Sequence, residues 1–467
     1  MRIGFLSMEH LREWTGITRL VDRIATEMSV RGHFPVIIAR KGRPVTEKVP
    51  VSPMAYPHET LALDLDDAQQ AARKRIAASG LDVCVGMFGD AQALYMPWLF
   101  SGSGIPCVVG DPADPRFYTF ARWQPYEHYA VLAFADAVQA LLEDYLPYYP
   151  PALRSRITVI GNPIPPFPKT GFYAVARANK TERAVLSVGR LNEADKRLSL
   201  LLRAFATLAE DFPNWRLRIV GDGPHWEFYR VMAKQLGIAA RTDFIGATAD
   251  PDAHYAESDI FCLPSLVEGF PMVYAEAASH ALPLVGFASC AASSALIVSG
   301  AGVLAGAPDS PKTLEAALRP LMSMSPEERT AMGLRARETL QAKYGGALVY
   351  DAWEKLLTET AARRNTDGTE DGKTMEEAHI GPEWDGLGPE SGVWSRALLN
   401  GAAAEVAARE RPLTRPEKSS APEDCENVRL RCELARLRQD YRFLEKKYAR
   451  LMERFQQAAG RKKGERR

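Results

Sequence analysis

Short apolar runs alternate with longer amphipathic segments over the first three quarters of the chain. RIGFLSM at the amino terminus reads as a strand. Gly16–Val30 reads as a helix, because Ile17, Leu20, Val21, Ile24 and Met28 recur on one face. PVIIA, VCVGMF around Cys84 and PCVVGD around Cys107 are further strands. After TVIGNPI at 158–164 and a proline-rich turn the alternation restarts. AVLSVGR is a strand, 198–209 a helix, WRLRIVGDG a strand and 226–236 a helix. DFIG and DIFCLPS are strands, followed by a helix over about 271–281 and the strand LPLVGF. Unbroken Val/Ile/Leu strands between amphipathic helices mean parallel sheets covered on both faces. The expected fold is α/β, two Rossmann-like domains facing a cleft, with the chemistry in loops after the strand carboxyl ends.

The pattern then changes. Residues 363–422 are rich in Gly, Pro, Glu and Asp, and between 366 and 395 eight acids stand against one base, Lys373. With so little to bury, this stretch reads as a flexible linker. From Asn427 to Phe455, Leu430, Leu437, Leu444 and Leu451 alternate with Asn427, Leu434, Tyr441, Tyr448 and Phe455 at spacings of three and four. That is a leucine-zipper pattern with one Asn to set register, and a single helix docked on the body is the alternative. The divisions are 1–165 and 166–345 for the two Rossmann-like domains, 346–362 for a closing helix, 363–422 linker, 423–458 coiled coil and 459–467 basic tail.

At 467 residues and 51.6 kDa the chain is too long for one ordinary core. Its 58 basic and 58 acidic side chains cancel, so no global field recruits nucleic acid. Besides the acidic linker, charge is uneven at the end, where 442–467 holds ten basic and three acidic residues. That end could touch anionic lipid on the inner face of a membrane or simply be solvated. No apolar run approaches the ~18–20 residues of a bilayer span, and the amino terminus reads as a strand, not a signal peptide. Six cysteines without a CxxC pair fit a reducing cytoplasm and give neither a disulfide framework nor a zinc site. Asp64 and Asp66 spell a DxD, but precede a polar helical segment without strand context and read as capping residues.

The most informative loop is SLVEGFPMVYAEAASHALPLVG at 265–286. Glu268 and Glu276 bracket a Gly-Phe-Pro turn, and Pro271 suits the first turn of a helix. The backbone N–H groups of Gly269, Phe270, Met272 and Val273 would then lie at a helix N-terminus, a ready site for phosphate. Taken alone, the glutamates could equally be a capping acid and a surface residue.

With GRLNEADKRLSLLLRAF at 189–205 and IVGDGP at 219–224, this loop completes a pattern. The chain resembles the family-4 retaining glycosyltransferases of the GT-B fold, whose signature is EGFP-hydrophobic-EA preceded by VGRL…K and V-G-x-GP. The resemblance covers about residues 1–362 and is strongest from 184 to 286. It implies that Arg190 and Lys196 hold a donor diphosphate, that Glu268 touches the transferring sugar, and that Glu276 binds the nucleotide ribose. One residue is inserted between Arg190 and Lys196 relative to the usual GRLxxxKG, and the following Gly is Arg197. TGITRL is similar to the family's GGxxR segment, so Gly16 is carried across as a donor-site residue while Thr15 replaces the first Gly. GIPCVVGDPADPRFY at 104–118 is similar to a stretch in members that build surface polysaccharides. Asp90, Asp111 and Asp114 become acceptor-side candidates, with helix capping as the equal alternative for Asp90 and Asp111. Asp222 in GDGP reads as a turn residue.

The expectation is thus a retaining, metal-independent glycosyltransferase with no cofactor. It would use a nucleotide-diphosphate sugar and a surface polysaccharide or lipid-linked glycan as partners, and self-associate through the coiled coil. The alternatives are a glycogen- or starch-synthase-like enzyme, or an inactive GT-B scaffold acting through its coiled coil.

Overall fold

Seven parallel strands form the amino-terminal sheet in the order β3-β2-β1-β4-β5-β6-β7. They are β1 Arg2–Leu6, β2 Phe34–Arg40, β3 Glu59–Leu63, β4 Val83–Met87, β5 Cys107–Asp111, β6 Ala137–Ala140 and β7 Ile157–Val159. Six more form a second parallel sheet in the order β10-β9-β8-β11-β12-β13. These are β8 Arg183–Val188, β9 Trp215–Val220, β10 Thr242–Gly246, β11 Ile260–Leu263, β12 Leu284–Phe287 and β13 Gly302–Ala305. The computed structural model describes residues 1–7, 16–40, 56–63, 69–88, 93, 95–100, 102–115, 125–149, 151–164, 167, 180–248 and 250–366. The linker, coiled coil and basic tail read from sequence lie outside these apart from the linker's first residues, as do Thr15, Asp64, Asp66 and Asp90.

Both sheets are doubly wound, and in each the order reverses beside the first strand, between β1 and β4 and between β8 and β11. That reversal opens a crevice at the strand carboxyl ends, where such folds bind ligands. The strands are buried on both faces, as their unbroken apolar runs require: β4 and β5 are buried at every position. The helix Gly16–Val30 forms as expected and buries Val21, Ile24, Ala25 and Met28. The helix Leu198–Asp211 buries Leu201, Leu202, Phe205 and Leu208 in the second core.

The two crossings between the sheets run side by side: Ile164 N donates to Tyr344 O at 2.9 Å, and Gly346 N to Ile164 O at 3.1 Å. Beyond this paired crossing the helix Gly346–Thr366 returns to the amino-terminal sheet and packs on the helix Gly16–Val30, β4 and β5. Val349, Trp353, Leu356 and Leu357 are buried there, each contributing about 2–3 kcal/mol of transfer free energy. Arg31 pairs with Asp351 and Glu354 at 2.7 Å each, and His33 Nε2 lies 2.9 Å from Glu354. One apolar core runs continuously from the amino-terminal sheet into Phe261, Phe270 and Tyr274 of the second domain.

No helix among the described residues is long and apolar enough to cross a membrane.

Candidate active site

The loop after β8 and the loop after β11 flank the switch point of the second sheet, and they hold the residues singled out from sequence. Arg190 follows β8 directly, is exposed, and makes no ion pair among the described residues. Lys196 ends the short helix Glu193–Lys196, which Asn192 caps through Ala194 N. Its Nζ is paired with Glu268 Oε1, and Ser265 Oγ donates to the same oxygen at 2.6 Å. Glu268 is only 11% exposed, so its charge is desolvated and needs both partners. An ammonium has three donors, and the one given to Glu268 leaves two for a ligand.

Desolvation is felt next door too. Burial raises the Asp195 carboxyl above its ordinary range; Lys196 and Arg190 pull it down and Glu268 pushes it up. The backbone of Asp195 is tied to the same loop, its carbonyl accepting from Leu266 N at 2.8 Å.

The helix expected after Glu268 runs Met272–Ser279, with Pro271 as its N-cap and not in its first turn. No side chain caps it, so the orphan N–H groups of its first turn, including Met272 and Val273, are served by no capping group. Phe270 is buried with its ring 4.9 Å from that of Tyr344. Glu276 lies within the helix, half-buried, and accepts from the Tyr255 hydroxyl at 2.7 Å. Tyr255 is buried and stacks on His280, whose Nε2 is 3.3 Å from Asp252.

Two glycines fit close approaches of backbone to backbone. A Cβ on Gly221, whose φ is +133°, would sit 1.9 Å from Gly189 O, so the loops after β8 and β9 touch. Asp222 beside it acts as a turn residue, its Oδ1 accepting from Gly223 N at 2.7 Å. A Cβ on Gly269 would meet Pro112 O at 2.3 Å. Pro112 belongs to the turn after β5, so the two domains touch at the EGFP turn. Tyr145, also of the amino-terminal domain, is buried and directs its hydroxyl to the Glu268 and Gly269 carbonyls.

That contact places the acceptor-side candidates. Asp111 is 0% and Asp114 1% exposed, so neither carboxylate is open to an acceptor in this conformation. Asp111 Oδ2 accepts from Tyr149 OH at 2.7 Å and lies 2.9 Å from His128 Nε2. Asp111 instead ties the start of the turn that meets Gly269 to Tyr149 and His128. Gly16 is the exposed first residue of its helix, and a Cβ there would meet nothing within 4 Å. Among the described residues no three His, Cys, Asp or Glu side chains cluster as metal ligands.

Sequence reasoning missed Tyr145, Ser265 and Tyr255. Tyr145 lies 123 residues from Glu268, and no local pattern announces such a partner. Ser265 could have been found, since a Ser three residues before a buried Glu is within reach of its carboxylate.

Two doubly wound domains of this kind have known counterparts. The fold matches sucrose-phosphate synthase from Thermosynechococcus elongatus with a TM-score of 0.60, at 18% identity over 78% of this chain and 100% of that one. It matches HepE from Anabaena, in complex with UDP and glucose, with a TM-score of 0.58, at 15% identity over 77% and 99%. The architecture is that of the GT-B glycosyltransferases.

Residues 172–339 match the family model described as glycosyl transferases group 1. A glycosyltransferase of Haemophilus influenzae is 27% identical over 61% of this chain and 80% of its own length. The Campylobacter jejuni GalNAc-alpha-(1->4)-GalNAc-alpha-(1->3)-diNAcBac-PP-undecaprenol alpha-1,4-N-acetyl-D-galactosaminyltransferase is 27% identical over 44% of this chain and 55% of its own length. Residues 172–339 thus carry a group 1 glycosyltransferase domain.

Proposed function

We propose that this glycosyltransferase moves a sugar from a nucleotide-diphosphate sugar to a surface polysaccharide or lipid-linked glycan, with retention of anomeric configuration and without a protein-held metal. The observation that carries the reading is the convergence of Arg190, the Lys196–Glu268 pair and the uncapped helix Met272–Ser279 on one crevice. A UDP complex in the HepE neighbour and the undecaprenol-linked acceptor named for the Campylobacter relative support the substrate classes.

Breaking the anomeric C–O bond makes the sugar oxocarbenium-like while negative charge grows on the departing diphosphate. Arg190, the remaining donors of Lys196 and the helix N-terminus meet that charge more strongly in the transition state than before it. With those groups in place the diphosphate needs no metal to leave. Glu268 faces the transferring sugar and Glu276 the ribose, whose hydroxyls a carboxylate can accept from. Retention follows if the acceptor enters on the face the diphosphate leaves, the phosphate oxygen taking its proton. The basic 442–467 end provides contact with anionic membrane, and the zipper residues self-association.

The test is a panel of nucleotide sugars scored by thermal shift and by transfer to a lipid-pyrophosphate glycan, with the anomeric product read by NMR. One donor should stabilise the protein and turn over to a product of unchanged configuration. An inverted product sinks the retaining assignment, and no stabilisation by any donor sinks the site.

A further inference from the structure

Arg197 stands where the resembling family has glycine, and its backbone takes the conformation a glycine would: φ +46°, ψ +40°, left-handed. Only two non-glycine residues among those described have positive φ. A side chain in this region is strained, so its retention calls for a compensating contact.

The Arg197 side chain makes such contacts. Arg197 Nε donates to Pro264 O at 3.2 Å, and a terminal nitrogen to Ser265 O at 2.9 Å. The other terminal nitrogen is 2.7 Å from Asp309 Oδ2, which Ser289 Oγ also reaches at 2.6 Å. The guanidinium lies 4.9 Å from the centre of the Phe287 ring and is largely shielded from solvent. One planar cation therefore binds the chain leaving β11, the end of β12 and the segment after β13. Lysine could not make this fork.

What is held is the base of the active-site loop. Ser265, whose carbonyl Arg197 grips, donates through its hydroxyl to Glu268, and Lys196, the preceding residue, pairs with the same carboxylate. We infer that Arg197 is a positioning residue: it fixes the Pro264–Ser265 backbone so that Glu268 and Lys196 stay in register, in place of the glycine its conformation would otherwise demand. The inference rests on the donor-site reading above and deepens it.

Two variants separate the side chain from the backbone. Arg197→Ala loses the fork and keeps the strained φ, whereas Arg197→Gly loses the fork and relieves the strain. Both should lower kcat about 10- to 100-fold, the loss expected from a reacting group displaced by a fraction of an ångström to an ångström. KM for the donor should change at most about twofold, because Arg190 and Glu276 are untouched. Millimolar guanidinium chloride should restore part of the kcat of Arg197→Ala. The glycine variant should melt above the alanine variant. Unchanged kcat in folded variants, or a loss of kcat that simply tracks melting temperature and resists guanidinium, overturns the inference.

A second arm needs no donor. Hydrogen exchange of the amides of 265–268 should be faster in Arg197→Gly than in wild type, and equal exchange overturns the inference whatever the enzyme transfers. A wild-type protein silent with every nucleotide sugar, yet showing this difference, would fail the function and keep the clamp.

Discussion

The hydroxyl of Tyr145 lies 2.6 Å from the carbonyl oxygen of Glu268 and 2.7 Å from that of Gly269. A single proton is thus shared between two carbonyls of the other domain, at the turn that carries the candidate carboxylate Glu268. Tyr145→Phe should cost about 1 kcal/mol of stability and a further loss in kcat of roughly 5- to 30-fold, equivalent to 1–2 kcal/mol of barrier. Gly269→Ala tests the same contact by steric means. Its Cβ would meet Pro112 O, and turnover should fall about a hundredfold while circular dichroism is retained. Wild-type kcat in both variants would show the contact to be idle.

Arg190→Ala should lower kcat/KM by the equivalent of about 2–4 kcal/mol, the cost of one preorganised electrostatic contact. Arg190 is exposed and makes no ion pair among the described residues, so the melting temperature should stay within about 1 °C of wild type. EDTA should leave the rate unaltered. Loss restored by manganese would point to Asp64 and Asp66.

Glu276→Gln should weaken nucleotide binding more than turnover at saturation, since a ribose contact is the same in ground and transition states. Tyr255→Phe should do so by a smaller factor, because the hydroxyl that aims Glu276 is removed and the carboxylate remains. Calorimetric titration of the nucleoside diphosphate checks both. A fall in kcat at unaltered KM counts against the ribose role.

Two aspartates should respond to pH with opposite sign. Burial raises Asp195, so its ionised form is penalised by folding, and Asp195→Asn should stabilise at neutral pH. That gain should vanish as pH falls through the raised value, where the wild-type carboxyl is protonated anyway. Asp243 is lowered, chiefly by its hydrogen bond from Arg216 and against some desolvation. Its contribution is present above the ordinary carboxylate value and lost as pH falls through the depressed one. Asp243→Asn should therefore destabilise at neutral pH and converge with wild type in acid. Melting curves from about pH 8 to about pH 3 separate the two.

Leu437→Lys with Leu444→Lys would put charge into an apolar seam and should dissociate an oligomer without lowering transfer. Sedimentation beside an activity assay decides it. A wild-type protein that is monomeric at tens of micromolar refutes the zipper.

Legibility from sequence followed distance along the chain. Strands such as FPVIIAR and RAVLSV announce themselves because their middle positions carry apolar runs, VIIA and AVL, that are buried on both faces. The short strands β3, β6 and β13, ETLAL, AVQA and GVLA, do not, being brief or rich in Ala and Gly. The candidate donor loop could be singled out because its residues lie within about twenty positions. The contacts that set it, Tyr145 on Glu268 and Arg197 on Ser265, join segments 123 and 68 residues apart. The resemblance marked Arg197 as a departure, but only its φ and its partners say what the departure does. Asp111 and Asp114 show the converse: their motif was visible, whereas their burial, and the Tyr149 and His128 partners of Asp111, come from distant segments.

The return of the helix Gly346–Thr366 also sets a timetable for synthesis. The amino-terminal sheet ends at Val159, yet the residues that cover its outer face, Val349, Trp353 and Leu357, follow nearly two hundred positions later. At ribosomal rates of about 5–20 residues per second, that face waits roughly 10–40 s for its cover. During that interval Val21, Ile24 and the flanks of β4 and β5 form an incomplete domain, the state in which a chaperone would find this chain. A ribosome stalled between the two sheets would hold a domain that has all its strands and lacks its last helix.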